Sequence, residues 1–253
     1  LIDMVRSLQP DVIIDNRLEC SGEGYGSLAQ CKPTPYHGDF VSPEQMIPPN
    51  GIQDVEGNDL VWEACVTMNN NWGYHATDHY FKPASMLIKK LVECVSKGGN
   101  MLLNVGPDAK GNIPQQSMEI LHTIGAWMKK NGQAVYGSRP WRKETEGPTK
   151  IREGQFTDNE EMPYTEKDIR FVVNGDSIYA FVMKFPKNGT VVIQSLAESK
   201  DQNSSAFHGL IEDVKILGYE EAKIEWSRDE NGFYLKADGV DTDLPVAVRV
   251  KVR

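Results

Sequence analysis

The sequence predicts an α/β region to about Trp141, arranged as a (β/α) barrel, followed by an antiparallel β-sandwich. Three observations carry that expectation. In the first part, short β-branched apolar runs alternate with helically spaced stripes, which is the pattern of α/β units. Long connections follow the first two of those runs, which favours a barrel whose site is built from loops at the C-terminal strand ends. After Trp141 the apolar period becomes two, and Asn-Gly pairs fall between the runs, where hairpins want positive φ. The expected domains are therefore residues 1–141 and 142–253.

Leu1, Val5 and Leu8 sit at helical spacing. The chain opens Leu1-Ile2-Asp3-Met4, with no initiator Met and no signal-peptide pattern, so the helix reads as beginning before Leu1 in a chain whose N-terminal part is absent. Val12-Ile13-Ile14, bounded by Pro10 and by Asp15-Asn16-Arg17, reads as a buried parallel strand with polar groups at its C-terminal end. Val61 to Met68 is the second strand. Met101 to Val105 is the third, introduced by Gly98-Gly99 and ended by Gly106-Pro107. Between the second and third, Met86, Leu87, Leu91, Val92 and Val95 make a helical stripe, with Pro83 near its start and Lys97-Gly98 closing it. A further helix runs from about Gln115 to Lys130, its inner face Met118, Leu121, Ile124, Gly125 and Met128, stopped by Asn131-Gly132.

Lys143 to Glu166 is polar and punctuated by Pro and Gly, a connecting stretch. Seven period-2 runs follow, at Ile169–Val173, Ser177–Lys184, Thr190–Gln194, Val214–Leu217, Lys223–Trp226, Phe233–Lys236 and Val246–Val252. Short strands with turns at this spacing predict the sandwich.

Composition narrows the function classes. The chain has 253 residues, 27 Lys+Arg against 36 Asp+Glu, and a net charge of −9. A chain of this size buries roughly 70–75% of its unfolded surface and needs neither disulfide nor metal for a core. No apolar stretch is long enough for a membrane span. The pI near 5.1 argues against a nucleic-acid partner. Cys20, Cys31, Cys65 and Cys94 form no CxxC pair; Cys20 and Cys31 flank a Gly-rich loop and pair only in an oxidising compartment, whereas Cys65 and Cys94 read as small buried hydrophobes.

Four residues stand out as site candidates. Arg17 ends the first strand, where its fork of donors suits a sugar hydroxyl or a carboxylate; a structural ion pair is the competing reading. Glu44 lies in Gly38-Asp39-Phe40-Val41-Ser42-Pro43-Glu44-Gln45, expected as a loop, and is either a general acid or part of a helix start. Glu63 follows Trp62 on the second strand. Trp72 lies in Asn69-Asn70-Asn71-Trp72-Gly73-Tyr74-His75, where aromatics beside amides suit a sugar; Trp62 and Tyr74 equally suit packing between barrel and loops. His37, His75 and His79 show no HExxH arrangement, and no cofactor or metal is expected. The glycines at 98, 99, 106 and 111 fit no phosphate fingerprint.

Taken together, Pro10-Asp11-Val12-Ile13-Ile14-Asp15-Asn16-Arg17, the Gly38–Gln45 segment, Trp62-Glu63, Asn71-Trp72-Gly73-Tyr74, Gly98-Gly99-Asn100-Met101-Leu102-Leu103-Asn104-Val105-Gly106-Pro107 and Asn131-Gly132-Gln133-Ala134-Val135-Tyr136 resemble the α-L-fucosidases of glycoside hydrolase family 29, in that family's order. The resemblance implies the C-terminal half of a (β/α) barrel followed by the family's β-sandwich. It implies a retaining exo-glycosidase acting on terminal α-L-fucose of oligosaccharides or glycoprotein glycans, without cofactor, nucleic acid or membrane span. The family's nucleophilic Asp lies on a strand before Val12, upstream of Leu1, and no Asp of this sequence replaces it. Glu44 matches the acid/base position of one branch of the family, Arg17 a sugar-binding Arg, and Trp72 an aromatic lining the fucose pocket; Glu63 is the alternative acid. Family habit implies a secreted or periplasmic protein. The alternative to an enzyme is a non-catalytic carbohydrate-binding or scaffold fragment lacking the nucleophile.

Overall fold

The computed structural model describes residues 1–18, 38–152, 154, 156–201 and 203–253, and near the start of the chain its extended stretches run parallel, side by side. After α1 (Ile2–Leu8), Asp15 bridges Phe40 in parallel, with Asn16 N–H donating to Phe40 O (3.0 Å) and Asp39 N–H to Ile14 O (2.7 Å). The Gly38–Gln45 segment, expected as a loop, is therefore extended. It pairs onward with the next strand: Val41 bridges Trp62, Glu44 bridges Cys65, and Val41 N–H reaches Val61 O at 2.9 Å. Pro43 has no N–H to give, so the ladder is interrupted there. Strand β1 (Glu63–Thr67) then pairs in parallel with β2 (Asn100–Asn104), Glu63 opposite Asn100 and Thr67 opposite Asn104. The expected strand at Val12–Ile14 is shortened because the Asp15 carboxylate accepts the Arg17 N–H and turns the chain into a 3-10 helix, Asn16–Leu18.

Register assigns the faces of this parallel array. Paired residues share a face and alternate along each strand. Asp15, Ser42, Glu44, Glu63, Cys65, Thr67, Leu102 and Asn104 therefore lie on one face. The opposite face carries Ile14, Val41, Trp62, Ala64 and Val66, all buried. Trp62 is core, as one of its two readings expected. Gly99 is what lets it lie flat, since a Cβ there would stand 2.3 Å from the Trp62 ring.

The array belongs to one of two compact units, made of Leu1–Lys82, Lys97–Glu119 and Lys150–Glu161; the other comprises Pro83–Ser96, Ile120–Thr149 and Met162–Arg253. The stretch around 150–161, expected only as a connection, is held in the first unit. Asp158 N–H donates to Gln45 O at 3.0 Å, and its carboxylate takes Lys82 Nζ at 2.7 Å with both side chains fully buried.

The second unit is layered. Its five-stranded sheet has the order β3-β4-β5-β10-β7, from Arg139–Glu146, Ile169–Asn174, Ser177–Val182, Val246–Val252 and Ile211–Ile216. A three-stranded sheet, β6-β9-β8, comes from Thr190–Ile193, Gly232–Asp238 and Lys223–Asp229. Phe171, Ile178, Ala180, Val248, Phe233 and Leu235 close the core of this sandwich. The other face of the larger sheet presents Val172, Tyr179, Phe181 and Ala247 to Ile88 and Val92 of α2 (Ala84–Ser96) and to Trp127 of α3 (Gln115–Asn131). Every residue of β5 is buried because it is the middle of these three layers.

Several expectations change here. Strand β3 begins at Arg139 and runs across residues 141/142 into the stretch expected as a connection; its pairing with β4 shifts register between Pro140 and Thr145, which breaks the period-2 signal. Asn174-Gly175 and Asn231-Gly232 join paired strands, but Asn188-Gly189 leads from one sheet to the other. The buried hydrophobic residue of α3 is Trp127, with Ile124 and Met128 only partly buried. Trp127 Nε1 donates to Pro245 O at 2.8 Å, which is how an indole is satisfied in a core. Glu93 of α2 and Arg170 of β4 form a buried pair at 2.6 Å, and the Tyr164 hydroxyl donates to the same carboxylate oxygen at 2.8 Å.

Candidate active site

The face of the parallel array that carries charge gathers its functional groups toward the C-terminal ends of its strands. Arg17 is placed there by the turn that Asp15 caps. Its guanidinium approaches Glu44 Oε2 at 3.3 Å, donates to Ser42 O at 3.2 Å and to Cys65 Sγ at 3.6 Å, and lies 3.6 Å from the Asp15 carboxylate. The side chains of Arg17 and Glu44 remain 32% and 22% exposed, so both stay within reach of a ligand. Arg17 and Glu44, 27 positions apart in sequence, are thus brought together. Glu44 stands at the end of an extended stretch, neither on a free loop nor at a helix start.

The backbone behind Glu44 is strained and braced. Gln45 has φ 50°, the left-handed region that side chains rarely adopt, at a cost of order 1–3 kcal/mol. Three contacts hold it: its N–H donates to Cys65 O (2.9 Å), its carbonyl accepts from Asp158 N–H (3.0 Å) and its Nε2 reaches Thr67 Oγ1 (3.3 Å), a hydroxyl that in turn accepts from Lys82 Nζ (2.8 Å). Burial pulls the Lys82 ammonium below its ordinary range, and the Asp158 carboxylate works against that. Cys65 faces the same cluster: burial pushes its thiol up, while Ser42 and Arg17 pull it down.

Glu63 is not brought to this cluster. It opens β1 opposite Asn100, and lines a cavity with Arg6, Asp39, Val61 and Trp62 at the N-terminal end of the array. Trp72 stands 37% exposed on the loop after β1, its carbonyl accepting Asn104 Nδ2 at 2.6 Å. Tyr74, which packing would have covered, is 53% exposed. Cys65 and Cys94 are buried, as expected; Cys20, Cys31 and His37 lie outside the described residues. Among the described residues no group of three or more His, Cys, Asp or Glu could hold a metal ion.

Sequence reasoning did not anticipate Asp15, Cys65 or the Gln45–Thr67–Lys82–Asp158 brace. Asp15 carried a signal, since an Asp two residues before a capped N–H is an Asx turn. Lys82 and Asp158 carried none, because nothing local marks a pair 76 positions apart.

A parallel barrel segment with acid and guanidinium on one face, followed by an antiparallel sandwich, defines the architecture. The family model described as Alpha-L-fucosidase matches residues 1–133, and that of the Alpha-L-fucosidase C-terminal domain matches residues 159–248. The chain belongs to the alpha-L-fucosidase family, and its fold is the C-terminal half of a (β/α) barrel followed by an antiparallel β-sandwich. It is similar to the tissue alpha-L-fucosidase of Mus musculus, 28% identical over 258 residues, which cover 90% of this chain and 49% of the mouse protein. It is similar also to the plasma alpha-L-fucosidase of Homo sapiens, 29% identical over 228 residues, covering 89% of this chain and 40% of that protein. Among solved structures, alpha-L-fucosidase isoenzyme 1 from Paenibacillus thiaminolyticus superposes with a TM-score of 0.74 at 31% identity, covering all of this chain and 52% of the other. The chain thus spans about half the length, or less, of the relatives it matches.

Proposed function

We propose that this chain carries part of the site of a retaining exo-glycosidase that removes terminal α-L-fucose from oligosaccharides or glycoprotein glycans. The observation that supports this reading most is the Arg17–Glu44 pair at the C-terminal ends of parallel strands, where barrel enzymes place their chemistry, in a chain of this family. Glu44 is the general acid that protonates the leaving oxygen and then the base that takes the proton of the attacking water. Arg17 binds the sugar through its fork: a hydroxyl replaces its contact with Glu44 and frees the carboxyl to face the glycosidic oxygen. Trp72 offers an apolar wall to the C6 methyl. Glu63 is the weaker candidate acid, since it opens β1 two residues before the Cys65 that Glu44 pairs with, toward the N-terminal end of the array. No aspartate of this chain is assigned as nucleophile; its carboxyl would stand about 5–5.5 Å from that of Glu44.

The domain division at 141/142 lies between the spans of the two family models. Among the described residues no helix is long and apolar enough to cross a membrane. A secreted or periplasmic location accords with a relative named for plasma. No nucleic-acid partner is proposed, on the acidic balance of the chain.

Because the chain spans about half of its relatives, a non-catalytic carbohydrate-binding piece is the second reading. One experiment separates them. In a complete enzyme that supplies the nucleophile, Glu44→Gln should slow poor leaving groups far more than activated aryl fucosides, and azide should restore turnover of the latter. Equal losses on both without azide rescue would remove Glu44 from the acid/base role. Fucose binding with no turnover by the parent protein would favour the binding piece.

A further inference from the structure

We infer a second carbohydrate subsite, for the glycan that carries the fucose, in the cleft between the loop after β1 and the loop after β2; the inference rests on the fucosidase reading only for the name of that glycan. The cleft measures about 350 Å³, within the roughly 300–1,000 Å³ of small-molecule sites. Tyr74, His75, His79 and Phe81 line one wall, Asn112 and Gln116 the other.

Both walls are built to hold shape rather than to bury side chains. In the first loop one carboxylate, Asp78, accepts from Asn70 N–H (3.0 Å), Asn71 Nδ2 (2.7 Å) and Tyr80 N–H (3.1 Å). Burial pushes this carboxyl up, but the hydrogen bonds together outweigh that and hold it below its ordinary range. In the second loop Asp108 does the same, accepting from Lys110 N–H (2.8 Å), Asn112 N–H (2.9 Å) and Asn112 Nδ2 (3.0 Å). The two loops meet backbone to backbone, since a Cβ on Gly106 would stand 2.8 Å from the Gly73 carbonyl carbon.

Three aromatics of the first loop nevertheless stay in solvent: Trp72, Tyr74 and Tyr80 are 37%, 53% and 43% exposed. A loop locked by its own carboxylate, with its rings left outside, is preorganised to present those rings. Flat rings beside amides suit the apolar C–H faces and hydroxyls of a sugar. Asp78 and Asp108 in the walls, on a chain of net charge −9, disfavour acidic sugars. The ligand is therefore a neutral oligosaccharide. The loop carries Trp72 as well, so a glycan whose fucose lies against Trp72 would extend along it toward Tyr74.

Lactose and free L-fucose are the probes, each titrated into the whole chain and followed by NMR. Lactose should perturb the loop resonances, and Tyr74→Ala and His79→Ala should each weaken it at least tenfold while fucose binds as to the parent. Lactose binding that is absent from the parent, or equal in parent and both variants, would overturn the subsite. Lactose bound with the expected variant losses but no fucose binding would keep the subsite and remove the fucosidase reading. Fucose bound without lactose would do the reverse.

Discussion

At the scale of single residues, the chemistry rests on the planar fork of Arg17. It touches Asp15, Ser42, Glu44 and Cys65 at once, which a compact ammonium could not. In a complete enzyme that supplies the nucleophile, Arg17→Lys should therefore lower kcat/KM on an aryl fucoside by at least a hundredfold while moving Tm by no more than about 2 °C, because the partly exposed charge is kept and only its geometry is lost. Kinetics and a melting curve on the same preparation check this; a large drop in Tm with intact turnover would make Arg17 a brace. That Arg17 closely follows an extended stretch was legible, since Asp15-Asn16-Arg17 follows a β-branched run, but not that it sits in a 3-10 turn. That Glu44 is its partner was not, because Ser42-Pro43-Glu44 also spells a helix start, and only pairing with β1 rules that out.

Among the elements, the returning stretch around Thr157–Asn159 matters most to the site. Lys82 and Asp158 are wholly buried, and a buried pair is costly to break on one side only. Asp158→Ala should cost about 3–5 kcal/mol, whereas Lys82→Met with Asp158→Leu should cost clearly less, since no charge is then left alone. Urea unfolding of the three proteins measures both. Single and double variants losing the same amount would mean that packing, not charge, holds the stretch. Because Asp158 N–H braces Gln45 through the main chain, the double variant should keep much of the backbone behind Glu44 in place.

For the whole molecule, carboxylates set the acid limit. Asp39, Asp54, Asp78, Asp108 and Asp176 are all held below their ordinary range, the first by the Ile14 N–H and the Arg6 guanidinium, the second and fourth by Asn58 and Asn112. A group with a lowered folded value contributes stability above its unfolded value, here 3.8, that is lost as pH falls through the folded one. Tyr164 sets the alkaline limit: burial, then the Glu93 charge, pushes its phenol up, so its contribution is present below 10.0 and lost as pH rises. The urea midpoint should be nearly flat from about pH 5 to 9 and fall outside that range. A steady decline from neutrality to pH 5 would mean that histidines govern instead.

The sequence by itself determined the elements whose signal is contiguous. Helices α2 and α3 came from stripes and stop signals, and β4, β5 and β10 from period-2 runs, because helical and strand periods are local properties of neighbouring residues. Tertiary structure decided how these elements were shared out. Val172, Tyr179 and Phe181 read as ordinary strand residues, yet they pack on α2 and α3, so the larger sheet is covered on both faces. The parallel pairing of Gly38–Gln45, the meeting of Arg17 with Glu44, and the burial of Lys82 against Asp158 were likewise invisible in sequence. Each depends on residues tens of positions apart, whose attraction exists only after the chain has closed the loops between them.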